Sequence, residues 1–390
     1  MYTSLLDLPW WGYAFAALFL THITIASVTI YLHRHQTHRA LELNPVVSHL
    51  FRFWLWLTTA IVTKEWISIH RKHHAKCETI DDPHSPQIFG IRKVLLQGAE
   101  LYRIEAKNRE TLEKYGRGTP DDWLERHLYT KHSSLGIVLM LVIDILLFGP
   151  IGLTIWAVQM AWIPVTAAGI INGAGHHWGY RNFQPADCST NILPWGILIG
   201  GEELHNNHHA YIGSAKLSIK WYEFDIGWMY IRTLSALGLS KVRNVAPKVS
   251  LNTAKTVCDI ETLHAVLKNR FEVMANFATL LKRIYRQEIT HLKQHVPDLG
   301  NVDLKRIMCW LNVDQSMLNE QEKLKLGIVM QSSENLNVAY RLRNDLTSIW
   351  YRHNSTKEKM VKELEDWCHR AEDSGVEALK KFSRRLRCYA

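Results

Sequence analysis

Residues 133–180 contain no Lys or Arg and a single acid, Asp144, with one break at Gly149-Pro150. At 1.5 Å per residue the run would make roughly 70 Å of helix, about two crossings of a hydrocarbon core roughly 30 Å thick. It reads as a transmembrane hairpin with its turn at the break. Residues 10–32 (WWGYAFAALFLTHITIASVTIYL) form a second run free of Lys and Arg and long enough for one span. This run lacks a basic leader and passes into HRHQTH without a small-residue cleavage site, so it reads as a retained span and not a signal peptide. Residues 46–63 are apolar and Trp-rich but carry Arg52. They read as a helix that packs on the membrane face, or enters it and returns.

Charge divides the chain. Of the 46 Lys and Arg, 26 lie in residues 241–390 with 18 of the 37 acids, so almost all of the net +9 belongs to the tail. The expected domains are a membrane unit, 1–240, and a soluble helical extension, 241–390. The other 20 basic residues fall in 34–131 and 181–240. By the positive-inside rule both segments are cytoplasmic, with the N-terminus and hairpin tip outside, an arrangement that three crossings satisfy. The expected location is a bacterial inner membrane, with the histidine boxes and C-terminus on the cytoplasmic side. Cys77, Cys188, Cys258, Cys309, Cys368 and Cys388 form no CxxC pair. That pattern argues against a disulfide framework, a zinc ribbon or an iron–sulfur site.

The chemistry is concentrated in 21 histidines. Box one is His33-Arg34-His35-Gln36-Thr37-His38, box two His70-Arg71-Lys72-His73-His74, and box three His205-Asn206-Asn207-His208-His209; Asn172 and His176 form a fourth element. On a helix, positions i, i+3 and i+4 share a face, so each HxxHH directs three imidazoles to one place. Box one differs, because five residues subtend about 500°; His33 and His38 converge best if the first helix ends between them. Asn172 and His176 are i, i+4 at the end of the last expected span. At this histidine frequency an HxxHH string should arise by chance about 0.06 times, and it occurs twice. Imidazole suits Zn, Cu, Fe and Ni, and no HExxH string of a zinc protease is present. The boxes hold more imidazoles than one ion can take, so a pair of metals is implied.

In this order, HxxxxH, HxxHH, NxxxH and HxxHH interleaved with apolar spans, the chain resembles the integral-membrane fatty acyl desaturases over roughly residues 10–240. Glu65-Trp66 and Asp82-Pro83-His84 around box two, and Gly201-Glu202-Glu203-Leu204 before box three, are similar to the stearoyl-type Δ9 acyl-CoA or acyl-lipid branch in its bacterial form. The resemblance implies an all-α fold: an integral membrane helical domain with a histidine-rich cytoplasmic di-iron region, followed by a soluble helical tail. It implies two iron ions held by His33, His38, His70, His73, His74, His176, His205, His208 and His209, with Asn172 contacting a metal-bound water. His35, His84 and His177 fall outside that set and read as supporting or solvated histidines. The implied reaction is O2-dependent insertion of a cis double bond, at position 9, into a long saturated acyl chain. Removing hydrogen from an unactivated methylene needs an oxidant that side chains cannot supply and a metal centre can. Electrons would come from an external donor: a ferredoxin, a cytochrome b5-like protein or a flavoprotein reductase. Trp66 matches a tryptophan that shapes the bend of the family's acyl tunnel. Two polar residues that accompany it there are Ala60 and Ala168 here, so the bend must be held differently and Δ9 specificity transfers less securely. Thr21, about three turns before His33, falls with His22 near the expected tunnel end.

Residues 241–390 read as several soluble helices. Apolar residues recur at helical spacing in LLKRIYRQEITHLKQHV, Pro297 breaks the pattern, Gly375 separates two late segments, and Trp310, Trp350 and Trp367 are expected in a core. No haem, flavin or iron–sulfur motif marks a fused donor. Interspersed acids and bases make a mixed surface, which suits anionic lipid heads or self-association and not nucleic acid. Two other function classes stay open. A membrane di-iron fatty acid or alkane hydroxylase shares the boxes and differs in product, and a non-catalytic metal carrier or sensor would need releasable ligands.

Overall fold

The first apolar run forms one continuous helix, α1 (Trp10–Thr37), seen in a computed structural model that describes residues 4–295, 320–351 and 356–390. Three hydroxyls in its apolar part bond its own carbonyls: Thr21 Oγ1 donates to Ala17 O at 2.9 Å, Thr24 to Leu20 O at 3.1 Å and Ser27 to Ile23 O at 2.8 Å. Polar atoms in an apolar run are thereby satisfied within the helix. From Val28 to Thr37 the winding widens to i→i−5 bonds, closing with His38 N to His33 O at 3.1 Å. The short strand Leu41–Leu43, and Asn44, whose side chain accepts from Val46 N, lead into α2 (Pro45–Thr59), which starts on Pro45 as helix starts favour.

Helix α2 stops at Ala60, whose φ of 54° is left-handed, and α3 (Thr63–Lys76) leaves at 91° to it. Neither arm reaches the roughly 20 residues that a span requires. Arg52 is buried, with Asp122 at 2.7 Å and Glu125 at 3.6 Å, so its charge is paired by protein and not lost in lipid. Helix α4 (Ile91–Glu105) then packs along the second half of the hairpin. The approach depends on Gly98, where a Cβ would stand 2.2 Å from Ala168 O.

The hairpin is α5 (Ser133–Phe148) and α6 (Ile151–Ala174), turned at Gly149 with φ 65°. Its arms touch at Gly152, where a Cβ would meet Asp144 O at 2.1 Å. The long apolar run therefore divides unevenly. Of the described helices, α1 and α6 are long and apolar enough to cross a membrane, while α5 is a shorter apolar helix. Helix α6 also ends before the run does, so His176 lies beyond it in a turn closed by His176 N to Gly173 O at 3.2 Å. Phe15, Phe19, Val138, Val142, Leu153 and Val165 are exposed on these helices, apolar side chains of the kind lipid covers. Box three sits on the short α7 (His205–Ala210), followed by α8 (Ile226–Ala236).

Ser240–Val242 pairs antiparallel with Leu41–Leu43, and Ala246 N donates to Ser214 Oγ at 2.9 Å. Contacts thus group Met1–Ala246 as one unit and Pro247–Ala390 as another, carrying residues 241–246 into the first. The second unit contains α9 (Ile260–Lys268), α10 (Arg270–His295), α11 (Glu320–Ser332), α12 (Glu334–Tyr351), α13 (Lys357–Asp373) and α14 (Glu377–Arg387). Its core gathers Leu263, Phe277, Leu281, Leu346, Trp367 and Phe382, and Trp367 Nε1 donates to Leu342 O at 2.8 Å. Trp350 packs against this core, Gly375 separates α13 from α14, and Pro297 and Trp310 lie outside the described residues.

Candidate metal centre

The widened turn at the end of α1 solves the spacing of box one. An i→i−5 bond sets residues five apart side by side, and the His33 and His38 rings stand 4.7 Å apart although the helix continues past His33 to Thr37. His70 and His74 face them from α3, and His208 from α7. One ligand nitrogen from each of these five lies within 4.8 Å of all the others.

These approaches cannot all be hydrogen bonds. His208 Nε2 is 3.1 Å from His33 Nε2 and 2.9 Å from His74 Nε2; His70 Nε2 is 3.1 Å from His74 Nε2 and 3.2 Å from His38 Nε2. Each ring nitrogen offers one hydrogen or one lone pair, so a nitrogen facing two others cannot bond both. A cation at the centre removes the conflict, and the donor set fits one.

A second group lies beside the first. Ligand atoms of His73, Cys77, His176 and His209 are within 4.8 Å of one another, and His205 Nε2 is 3.0 Å from His176 Nε2. His209 Nε2 is buried without a hydrogen-bond partner. Burial, reinforced by nearby carboxylates, holds the Cys77 thiol protonated, so the imidazoles are the better donors. Asp82 and His84 approach His73 from its other side, where the His84 ring stacks on His73 at 4.5 Å.

Four carboxylates orient these rings. His33 Nδ1 meets Glu202 at 2.8 Å, His73 Nδ1 meets Asp82 at 3.0 Å, His209 Nδ1 meets Asp187 at 2.9 Å and His176 Nδ1 meets Glu78 at 3.4 Å. An acceptor at Nδ1 keeps the hydrogen there and leaves the Nε2 lone pair for a metal. Burial alone would raise the Asp82 and Glu202 carboxyls, but the hydrogen bonds they accept, from His73 and Glu78 N at Asp82 and from His33 and Thr29 at Glu202 beside the Arg34 charge, outweigh it and hold both below their ordinary range. Burial first, then crowding by other imidazoles, holds His38, His70, His74, His205, His208 and His209 far below theirs, so they are neutral, the state a ligand needs.

The frame is set by a residue inside box one. Arg34 is buried, bonds both oxygens of Asp225 at 3.1 and 3.0 Å, and donates to the carbonyls of Ala215 and Gly200, each at 2.9 Å. Sequence reasoning did not find Arg34, Asp225, Glu78 or Asp187 as positioning residues. In the sequence Asp82 and Glu202 stand out only as neighbours of boxes two and three. His35 is tied to Leu41 O at 3.0 Å, and His177 is exposed.

Against the histidines lies a cavity of about 680 Å³, lined in part by His33, His70, Asn172, His205 and Trp66. Trp66 stacks on His70 with ring centroids 4.9 Å apart and planes 11° from parallel. Ala60 and Ala168 are both in the wall, so contact with an imidazole, and not with polar companions, braces the tryptophan. Thr21 is buried, one turn beyond Ile25, the earliest α1 residue in that wall.

A family model described as fatty acid desaturase matches residues 8–236. The chain belongs to the fatty acid desaturase family. Over 226 residues it is 31% identical to a probable chloroplastic lipid desaturase of Arabidopsis thaliana, covering 57% of this chain and 60% of that protein, less than two thirds of its length. Over 235 residues it is 30% identical to a Delta-9 desaturase-like protein of the same plant, covering 59% and 76%. Over 230 residues it is 29% identical to an sn-1 stearoyl-lipid 9-desaturase of Synechocystis sp., covering 57% and 69%. Residues 252–390 match a second family model, described as transposase, which the reading of the tail as a plain helical extension did not anticipate.

Proposed function

We propose that this desaturase inserts a cis double bond at position 9 of a long saturated acyl chain, using O2 and two iron ions. The observation that carries the reading is the junction of two features: converging imidazole nitrogens and an apolar cavity that runs past them. His33, His38, His70, His74 and His208 would hold one ion, and His73, His176, His205 and His209 the other, with Asn172 beside them in the cavity wall. Bound iron with O2 would supply the oxidant for cleaving an unactivated C–H bond. The chain's own residues do the rest: Trp66 and the wall fix which methylene faces the histidines, so position and not polarity selects the bond. The four carboxylates keep the rings in one tautomer. Electrons come from a separate donor protein.

Arg103 and Lys107 also line the cavity, and both are exposed, which gives one end a cationic mouth for an anionic head group. Relatives described as acyl-lipid and stearoyl-lipid desaturases favour a lipid-bound chain as substrate. The basic segments favour a cytoplasmic position for this mouth. The test is expression in a cell that makes no unsaturated chains, with products separated by lipid class and double-bond position determined by mass. A Δ9 monoene in phospholipid supports the reading; hydroxylated chains would move it to a hydroxylase, and unchanged lipids with retained iron to a metal carrier.

A second reading concerns residues 247–390 alone. The transposase match favours contact with DNA, against the mixed charge of the tail. Binding of the whole protein to a labelled duplex at low and at high salt decides it.

A further inference from the structure

The cavity wall is of two kinds: it includes Arg103 and Lys107, both exposed, and it includes residues of the membrane hairpin. Along α6 the wall runs from Asn172, beside the histidines, through Ala168, Pro164 and Met160 to Gln159 and Trp156. From Asn172 to Gln159 is at most roughly 20 Å at 1.5 Å per residue. Trp156 is fixed by its Nε1 bond to Ile137 O at 2.8 Å, and Ile137 is in the wall too. Gln159 is 2% exposed, and its Nε2 donates to Oδ2 of Asp144, which is fully buried, at 2.7 Å. Gln159 Oε1 and Asp144 Oδ1 have no partner.

An acid and an amide inside a membrane hairpin are costly and call for a function. Joining the two arms accounts for the bond between them. It does not account for the two orphaned oxygens, or for Gln159 facing a cavity that otherwise suits hydrocarbon. We propose that the Gln159–Asp144 pair is the stop at the methyl end of the acyl site, and that it measures chain length by polarity and not by bulk. The inference rests on the desaturase reading. Each methylene added to the bound chain gains about fourfold in affinity, the equivalent of about 0.8 kcal/mol, while it covers apolar wall. Once the terminal methyl reaches Gln159, the next carbon lies against polar atoms that are already shut off from water and that it cannot bond, so it covers no further apolar wall and the gain stops. A stop made of bulk would survive replacement by an apolar side chain of similar size. A polar stop would not.

The test uses Gln159→Leu and the double variant Asp144→Leu, Gln159→Leu, which leaves no orphaned carboxylate. Each is expressed as the whole protein in a host with saturated chains only, fed acids of graded length. The readouts are desaturated product at each length and the position of its double bond. The ratio of product one carbon above the wild-type optimum to product at the optimum should rise about fourfold, with bond position from the carboxyl end unchanged. Asp144→Asn, which keeps a polar pair, should keep the wild-type ratio. An unchanged ratio in variants that still make monoenes overturns the polar stop. No monoene from the wild type overturns the desaturase reading instead. Should the double variant fail to accumulate, Gln159→Leu carries the same expectation by itself.

Discussion

Replacing Asp82 by Asn tests whether a buried carboxylate, through His73, sets metal affinity. The Asp82 oxygens lie 3.0 and 3.2 Å from His73 Nδ1; one also accepts from Glu78 N at 2.7 Å and the other from His84 N at 3.1 Å. Every neighbour is a donor. Whichever way the amide turns, its NH2 faces a backbone N–H and its single oxygen cannot serve the others. His73 then loses the acceptor that keeps its hydrogen on Nδ1, and the tautomer with hydrogen on Nε2 competes with ligation. Loss of such a partner costs typically 10- to 100-fold in metal affinity, about 1.4 to 2.7 kcal/mol. The assay is iron retention by purified protein against a graded chelator, with His177→Ala, an exposed histidine, as comparator. Asn at position 82 should release one ion per chain at a chelator concentration 10- to 100-fold lower than wild type. Release of both ions together, or at the wild-type concentration, would refute the assignment of Asp82 to one ligand of one ion.

Three further outcomes are expected. Alanine at any one of His70, His73, His74, His205, His208 or His209 should abolish desaturation and bring iron well below two per chain while the protein still inserts; full activity in one variant removes that residue from the ligand set. The depressed imidazoles bind fewer protons folded than unfolded, so their contribution to stability is present above about pH 6.5 and is lost as pH falls through that value toward their folded range. The melting temperature of iron-free protein should therefore drop below about pH 6.5, and a flat profile from pH 8 to 5 would contradict the burial argument. A cysteine placed at Gly149 should label with an impermeant reagent from outside the cell; labelling only after permeabilisation places the hairpin tip on the cytoplasmic side.

The lipid-facing helices and the histidine boxes were legible because each rests on short-range pattern. A run with no base and a single acid from 133 to 180 is not a solvated segment, and His70, His73 and His74 share a face of α3 by spacing alone. The expected course of box one was less complete. Regular helical geometry would separate His33 from His38, and the wider winding that joins them depends on bonds that α1 makes within this particular packing. The hairpin turns at the break read from the run, Gly149-Pro150, because backbone with φ 65° is accessible to glycine.

The sequence alone determined the donor chemistry and the membrane setting: imidazoles in number, among apolar segments long enough to lie in a membrane. Tertiary structure decided what completes the site. Glu78 reaches His176 from 98 residues away and Asp187 reaches His209 from 22, and Arg34 is spent on Asp225 across 191 positions. No local spacing encodes such pairs, because they form only when burial strips water from both partners and leaves each the other's bonding group. The pairing of Gln159 with Asp144 has the same origin. Lipid and protein exclude water around the hairpin, so a side chain that sequence shows only as polar is obliged to find its partner across the fold.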